Sequence, residues 1–313
     1  MKQKTITLKV SDKTKDMMIE FFEDLKREKT PPYAIFQAKD GDTVVTLYES
    51  GKCVFQGLDA DLASDYWIET EKINSGDASV TDSSKKEKEK KEKVIPIRIN
   101  SIGSDEVGTG DYFGPIVVTA SYVSKDNIDY LIDLRVKDSK KLTDEDILRI
   151  VPEIIKKIPY QTYILRDADY NNYNGSYNMN KIKAILHNKV LYQLVHEEKV
   201  NYDYIIVDEF AREARYYEYL NDQSLVQRGI TFLTKAEDIS PAVGCASIIS
   251  RYLFLKEFDK LSDALHIPLP KGAGKDVDTI GEEIVEKYGE EKLKEIAKVN
   301  FKNTDRILHT MIF

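Results

Sequence analysis

The sequence predicts an α/β protein built in two parts, a small N-terminal α+β domain followed by a larger mixed sheet flanked by helices. Three observations carry this. The 313 residues exceed what one hydrophobic core ordinarily organises. A tract at 74–93, NSGDASVTDSSKKEKEKKEK, interrupts the apolar patterning with small polar residues and then a Lys/Glu block. Beyond that tract, short apolar runs alternate with long stretches of helical period.

In the first part, residues 5–10 alternate polar and apolar side chains, as a half-buried strand does. Ser11 or Asp12 can cap a helix reaching Lys26, with Met17, Met18, Phe21, Phe22 and Leu25 as its apolar stripe. Strands are expected at 33–38, 43–48 and 53–56, turned by Asp40-Gly41 and Ser50-Gly51. A helix from about Asp59 to Glu71 closes the unit, with Leu62, Tyr66 and Trp67 on it. The order β-α-β-β-β-α gives a sheet with helices on one face. Its other face suits docking onto something flat or grooved, although a dimerisation or stabilising module has the same pattern. The tract at 74–93 cannot bury apolar surface and reads as a solvated, flexible linker. Lysine outnumbers glutamate in its charged block, so a phosphate-seeking arm is the alternative. The expected division is therefore a domain at 1–72, a linker at 73–95 and a domain at 96–313. In the last of these, strands are expected at 116–123, 161–165, 204–207 and 231–233. Helices are expected at 144–157, 179–198, 241–261 and 281–299.

Composition narrows the function classes. Charged residues at 32% against 42% hydrophobic ones give a soluble globular profile. No apolar stretch reaches the roughly 18 residues of a membrane span, so no membrane partner is expected. The opening MKQKTITLKV has no apolar core of a signal peptide. Cys53 and Cys245 lack metal-ligand spacing and read as reduced structural thiols, which together with the missing signal points to the cytoplasm. The net charge of −8 is not that of a typical nucleic-acid binder. It does not exclude one, because it is silent about where lysines cluster.

The chemistry gathers at three places. In SIGSDEVGTGDYFGPIVVTA, 101–120, Asp105 and Glu106 end a strand-like stretch, and Gly108, Thr109 and Gly110 form a turn. Glycines there allow a close approach to a sugar–phosphate chain; an ordinary acidic turn is the alternative. Asp208 follows an apolar strand, at the end where α/β active sites gather. Glu237 and Asp238 lie just before a helix capped by Ser240 with Pro241 at its first position. Either acid there can serve the helix dipole, or one can turn toward the sheet. Carboxylates converging from such distant segments repel one another unless cations lie among them. That is a hard-metal site with oxygen ligands and Mg²⁺ retaining several waters. Two such ions about 4 Å apart can activate a water and stabilise the departing 3′-oxygen of a phosphodiester. Convergence is not visible in sequence, so the residues alone are only compatible with a metal-dependent phosphoryl-transfer enzyme.

SDEVGTGDYFGP resembles the signature of ribonuclease HIII, a bacterial member of the type 2 ribonuclease H group. The likeness continues through DSKKLTD at 138–144, YNMNKIKAILHNKVL at 177–191, VDEFA at 207–211, and TKAE and ASIISRY within 234–252. It extends to PKGAGKDVD at 270–278 and NFKNT at 300–304. The N-terminal part is similar to that family's extra domain, which resembles half of the TATA-binding protein. The resemblance implies a ribonuclease H-like fold, a Mg²⁺ requirement that Mn²⁺ can also meet, and a catalytic and metal-binding set of Asp105, Glu106, Asp208 and Glu237. Asp105 would bridge two ions, Glu106 and Asp208 would hold the one nearer the leaving group, and Glu237 the one that activates water. Gly108, Thr109 and Gly110 would meet the minor groove, where 2′-hydroxyls mark RNA. Ser139, Lys140 and Lys141 would contact phosphates, or form a solvated basic turn. The implied activity is cleavage of the RNA strand of an RNA/DNA hybrid by a cytoplasmic monomer, leaving 5′-phosphate and 3′-hydroxyl ends.

Two residues depart from the family's pattern. Asn300 stands where histidine is frequent, and Glu209 stands where glutamine follows the aspartate corresponding to Asp208. His187 and His196 share one expected helix among apolar neighbours and read as packing or surface residues. The Asn- and Tyr-rich stretch 170–177 reads as a structured loop or a stacking surface for nucleic acid. Three alternatives remain open. They are incision at single ribonucleotides in DNA as in ribonuclease HII, hybrid binding without catalysis, and a Mg²⁺ phosphatase.

Overall fold

The computed structural model of the chain describes residues 4–41, 43–57, 59–76, 78–82, 96, 98–136 and 142–310. They form two compact units, one within Met1–Val94 together with Phe210–Arg212, the other within Ile95–Glu209 and Glu213–Phe313.

The first unit runs β1 Lys4–Lys9, α1 Asp12–Phe21, β2 Ala34–Asp40, β3 Thr43–Tyr48, β4 Lys52–Gly57, α2 Ala60–Ser75 and β5 Val80–Asp82. Its sheet has the order β2-β3-β4-β1-β5, every pair antiparallel. Strand alternation sends Leu8, Val45, Leu47 and Phe55 into a core closed by Met18, Phe22 and Trp67. Ser11 is the N-cap of α1. The helix expected to reach Lys26 stops at Phe21 and is followed by a 3₁₀ turn, Glu23–Leu25.

The expected linker also needs correcting at its start. Asn74 and Ser75 belong to α2, which ends at Gly76 in the left-handed conformation, and residues 80–82 add a strand to the edge of β1. An edge strand needs only backbone hydrogen bonds, so a polar composition does not forbid it. The charged block from 83 onward lies outside the described residues.

The second unit comprises β6 Ser101–Val107, β7 Ile116–Val123, α3 Ile128–Asp133, α4 Asp144–Ile154, β8 Tyr160–Leu165, α5 Asp167–Asn174, α6 Met179–Glu197, β9 Tyr204–Asp208, α7 Glu213–Tyr219, β10 Ile230–Leu233, α8 Ala236–Ile239, α9 Pro241–Leu265, α10 Lys275–Tyr288, α11 Glu291–Ile296 and α12 Lys302–Thr310. The sheet order is β10-β9-β6-β7-β8. β6 pairs with β7 antiparallel and with β9 parallel, so the sheet is mixed, as expected. The helix expected at 281–299 is instead α10 and α11, separated at Gly289, whose φ of 85° ends the first of them. The stretch 170–177, read as a structured loop or a stacking surface for nucleic acid, is helical through Asn174 in α5. Cys53 and Cys245 are free and buried. Among the described residues no helix is long and apolar enough to cross a membrane.

β6 is covered on both faces. On the side of Gly103 and Asp105 lies α9, so close that a Cβ on Gly103 would stand 2.3 Å from the Val243 nitrogen and 2.5 Å from the Ala242 carbonyl carbon. On the side of Ser104 and Glu106 lies α6. Gly103→Ala is therefore expected to push α9 off the strand and lower stability by about 1–3 kcal/mol. Urea unfolding measures this, and an unchanged midpoint would contradict so close a packing.

Candidate active site

Asp105 and Glu106 occupy the last turn of the pleat in β6, where consecutive side chains point to opposite faces. Asp208 ends the parallel neighbour β9, one position beyond the Ser104–Val207 pair. Glu237 sits on α8, a single turn after β10 that follows Lys235 in the left-handed conformation. Glu237 and Asp238 thus lie within a short helix of their own. Ser240 then caps α9 through the Val243 amide at 3.4 Å, with Pro241 first in the helix.

Asp105, Asp208 and Glu237 line one cavity of about 370 Å³, together with Asp144, Ser247 and Arg251. Asp105 accepts from the Glu106 amide at 2.8 Å, and its own carbonyl accepts from the Ser250 hydroxyl at 3.1 Å. Burial, with the Glu106 charge adding to it, pushes Asp105 up to about 7, against the pull of a hydrogen bond from Ser247. Asp208 accepts from the Ala236 amide at 2.9 Å. Burial raises it as well, helped by the charges of Glu237 and Glu106. Asp144 closes the wall between two cations, Arg251 Nε at 3.0 Å and Lys271 Nζ at 2.6 Å. Burial would raise its pKa, but these partners hold it below the usual aspartate range.

Glu106 does not line the cavity. Its Oε2 lies 2.9 Å from His187 Nε2, and its Oε1 pairs with Lys183, both partners on α6. Burial opposes its charge, yet Lys183 and His187 outweigh that and hold it well below the usual glutamate range. His187 therefore has a polar assignment that its apolar neighbours in sequence concealed. His196, the other histidine on α6, packs tilted against Tyr192 with ring centroids 4.1 Å apart.

The turn after the acids is fastened from far along the chain. Lys298, fully buried, donates to the carbonyls of Asp111 at 2.8 Å and of Gly114, and sits 3.2 Å from Asp167 Oδ1. Gly108, with φ of 96°, has its Cα against the Pro115 carbonyl: a Cβ would stand 2.1 Å from that oxygen. Packing alone thus accounts for this glycine. Gly110 is different, because it is exposed and a Cβ would meet nothing within 4 Å. Its place is open to an approaching molecule. Thr109 between them is half-buried. Ser139, Lys140 and Lys141 lie outside the described residues. Asn300 contacts Tyr170, and Glu209 is not part of the cavity wall.

The donor set of the cavity is oxygen only, carboxylates in a partly desolvated wall, and this fits a hard divalent cation rather than a soft one. Among the described residues no three His, Cys, Asp or Glu side chains stand close enough to hold a single ion between them.

Comparison with known proteins adds the following. The family described as Ribonuclease HII matches residues 102–304, and a domain of unknown function matches residues 5–79. The ribonuclease HIII of Lactococcus lactis is 39% identical over 307 residues, 97% of this chain and 98% of that protein. The ribonuclease HIII of Geobacillus kaustophilus is 38% identical over 301 residues, 94% of each. The crystal structure of Bst-RNase HIII in complex with Mn²⁺ matches with a TM-score of 0.68 at 37% identity, over 98% of each chain. The ribonuclease H2 of Pyrococcus horikoshii, at 22% identity and a TM-score of 0.59, shares the fold over 68% of this chain and 99% of its own.

The acids also set a pH dependence. Asp105 binds its proton more tightly folded than unfolded. Its contribution to stability is thus complete below the ordinary aspartate value of 3.8 and is lost as pH rises through about 7. Glu106 has the opposite sign, its contribution present above the usual glutamate range and lost on acidification. In chelator, the melting temperature is expected to fall between about pH 4 and about pH 7, and Asp105→Asn to flatten that decline. Scanning calorimetry of both forms tests this; parallel profiles would show that Asp105 is not its source.

Proposed function

The chain belongs to the ribonuclease HIII family, and on that premise we propose that it hydrolyses the RNA strand of RNA/DNA hybrids endonucleolytically, leaving 5′-phosphate and 3′-hydroxyl ends. The observation that carries the reading is the single cavity shared by Asp105, Asp208 and Glu237, which come from β6, β9 and the turn after β10. Asp105, Glu106, Asp208 and Glu237 would hold Mg²⁺, with Mn²⁺ able to replace it. Divalent ions there supply Lewis-acid stabilisation of the phosphoryl oxygens and the departing 3′-oxygen.

The chain's own groups orient the acids before substrate arrives. The Ala236 amide fixes Asp208, and the Glu106 amide with Ser247 fixes Asp105, so little reorganisation is left for the reaction itself. Arg251, steadied by Asp144, offers positive charge on the same wall to a phosphodiester chain. Gly110, with open space around its Cα, lets the backbone of the turn approach the minor groove, and Thr109 beside it faces the 2′-hydroxyls. Ser139, Lys140 and Lys141 contact flanking phosphates. The N-terminal unit, resembling half of the TATA-binding protein, grips the hybrid with its sheet and compensates for the net charge of −8. The enzyme acts in the cytoplasm as a monomer.

A second reading, incision at single ribonucleotides in DNA, is favoured by the match of residues 102–304 to Ribonuclease HII. Cleavage of a duplex holding one ribonucleotide, compared with a long hybrid, separates the two.

The central experiment is cleavage of an end-labelled hybrid with Mg²⁺ or chelator. Metal-dependent cutting of the RNA strand is expected, reduced by at least about a thousandfold in Asp105→Asn. Intact RNA under every metal condition, from folded protein, would overturn the enzymatic reading. Removing residues 1–82 is expected to weaken hybrid binding far more than it slows turnover. Equal affinity of the two forms, measured by anisotropy, would remove the N-terminal unit from substrate binding.

A further inference from the structure

Ser104 and Glu106 lie two apart on β6 and share the face covered by α6, while Asp105 between them faces α9. His187 spans the pair. Its Nε2 is 2.9 Å from Glu106 Oε2 and its Nδ1 is 2.7 Å from Ser104 Oγ. A carboxylate only accepts, so Nε2 carries the proton that faces it, and the Ser104 hydroxyl meets Nδ1. Lys183, four residues earlier on α6 and therefore on the same helix face, pairs with the remaining oxygen, Oε1. Both oxygens of Glu106 are thus engaged, which fixes the plane of the carboxylate.

Filling this volume would need no histidine. The ring is 1% exposed, and an apolar side chain there would leave no nitrogen to satisfy. What the imidazole adds is direction, because its two nitrogens tie one carboxylate to one hydroxyl on the same strand. Partners of this kind, which touch a ligand rather than the ion, orient metal-binding side chains.

We propose that His187 is a positioning residue of the active site: through the Ser104–His187–Glu106 chain it sets the direction in which Glu106 offers its carboxylate to a divalent cation, with Lys183 as the opposing charge. The proposal rests on the reading of Glu106 as a metal ligand. It predicts that the geometry of the donor at position 187 matters, and not merely the size of the side chain.

The test is Mn²⁺ binding to the full chain, followed by the paramagnetic signal of the free ion, with folding checked by thermal unfolding in chelator. The amide nitrogen of glutamine reaches the place of Nε2, whereas that of asparagine reaches only the place of Nδ1. His187→Asn is expected to weaken Mn²⁺ binding by roughly tenfold to a hundredfold, and His187→Gln to keep it within about threefold. Ser104→Ala, which leaves the histidine in place, is expected to cause a smaller loss. Equal affinity in the asparagine and glutamine variants, whether both normal or both weak, would overturn the positioning role. Glu106→Gln separates this from the underlying assignment. Unchanged binding there would remove Glu106 from the ligand set and the proposal with it. A loss there with none in His187→Asn would remove the positioning role alone.

Discussion

The two-residue period of a β-strand governs this catalytic unit. Adjacent acids on β6 must point to opposite faces, and both faces are covered, so each acid meets a different helix. A buried carboxylate without partners is costly, so each helix has to supply them. On one face α9 approaches over Gly103 and brings Ser247 and Ser250 to Asp105. On the other, α6 brings Lys183 and His187 to Glu106. The two acids end with opposite electrostatic character: Asp105 is pushed toward its neutral form, and Glu106 is held charged. A cation held in the cavity would favour the charged form of the first, and the second is already charged.

Much of this was legible from residues alone, for reasons that differ by element. β7 appears at the expected residues because eight apolar or small residues in a row, bounded by Pro115 and Ser124, allow few other structures. The start of α9 was equally plain, since Ser240 and Pro241 are a cap and a first-turn residue whatever surrounds them. The four acids were proposed from the family's local patterns, SDEVGTG, VDEFA and TKAE. Their arrangement could not be read in that way, because it depends on which face of β6 each helix covers. His187 shows the limit well: its partner Glu106 lies 81 residues away in sequence, and the neighbours on α6 that conceal it are apolar. The short strand at 80–82 was missed for another reason. Its role is carried by main-chain pairing with β1, which leaves little trace in side-chain chemistry.

The N-terminal unit follows a simpler logic. One sheet and two helices close a core around Phe22, Phe36 and Trp67, with Phe22 and Trp67 ring centroids 5.7 Å apart. No acid cluster is required of it.

Lys298 has a consequence for how the chain is made. It holds the carbonyl of Asp111 across 187 residues of sequence. A chain leaving the ribosome therefore exposes the glycine turn and the first two acids long before the lysine that fastens them has been synthesised. Contacts of such long range form late, after shorter loops have closed. An unfinished chain that has not reached Lys298 therefore carries Asp105 and Glu106 without the side chain that fastens the turn beside them.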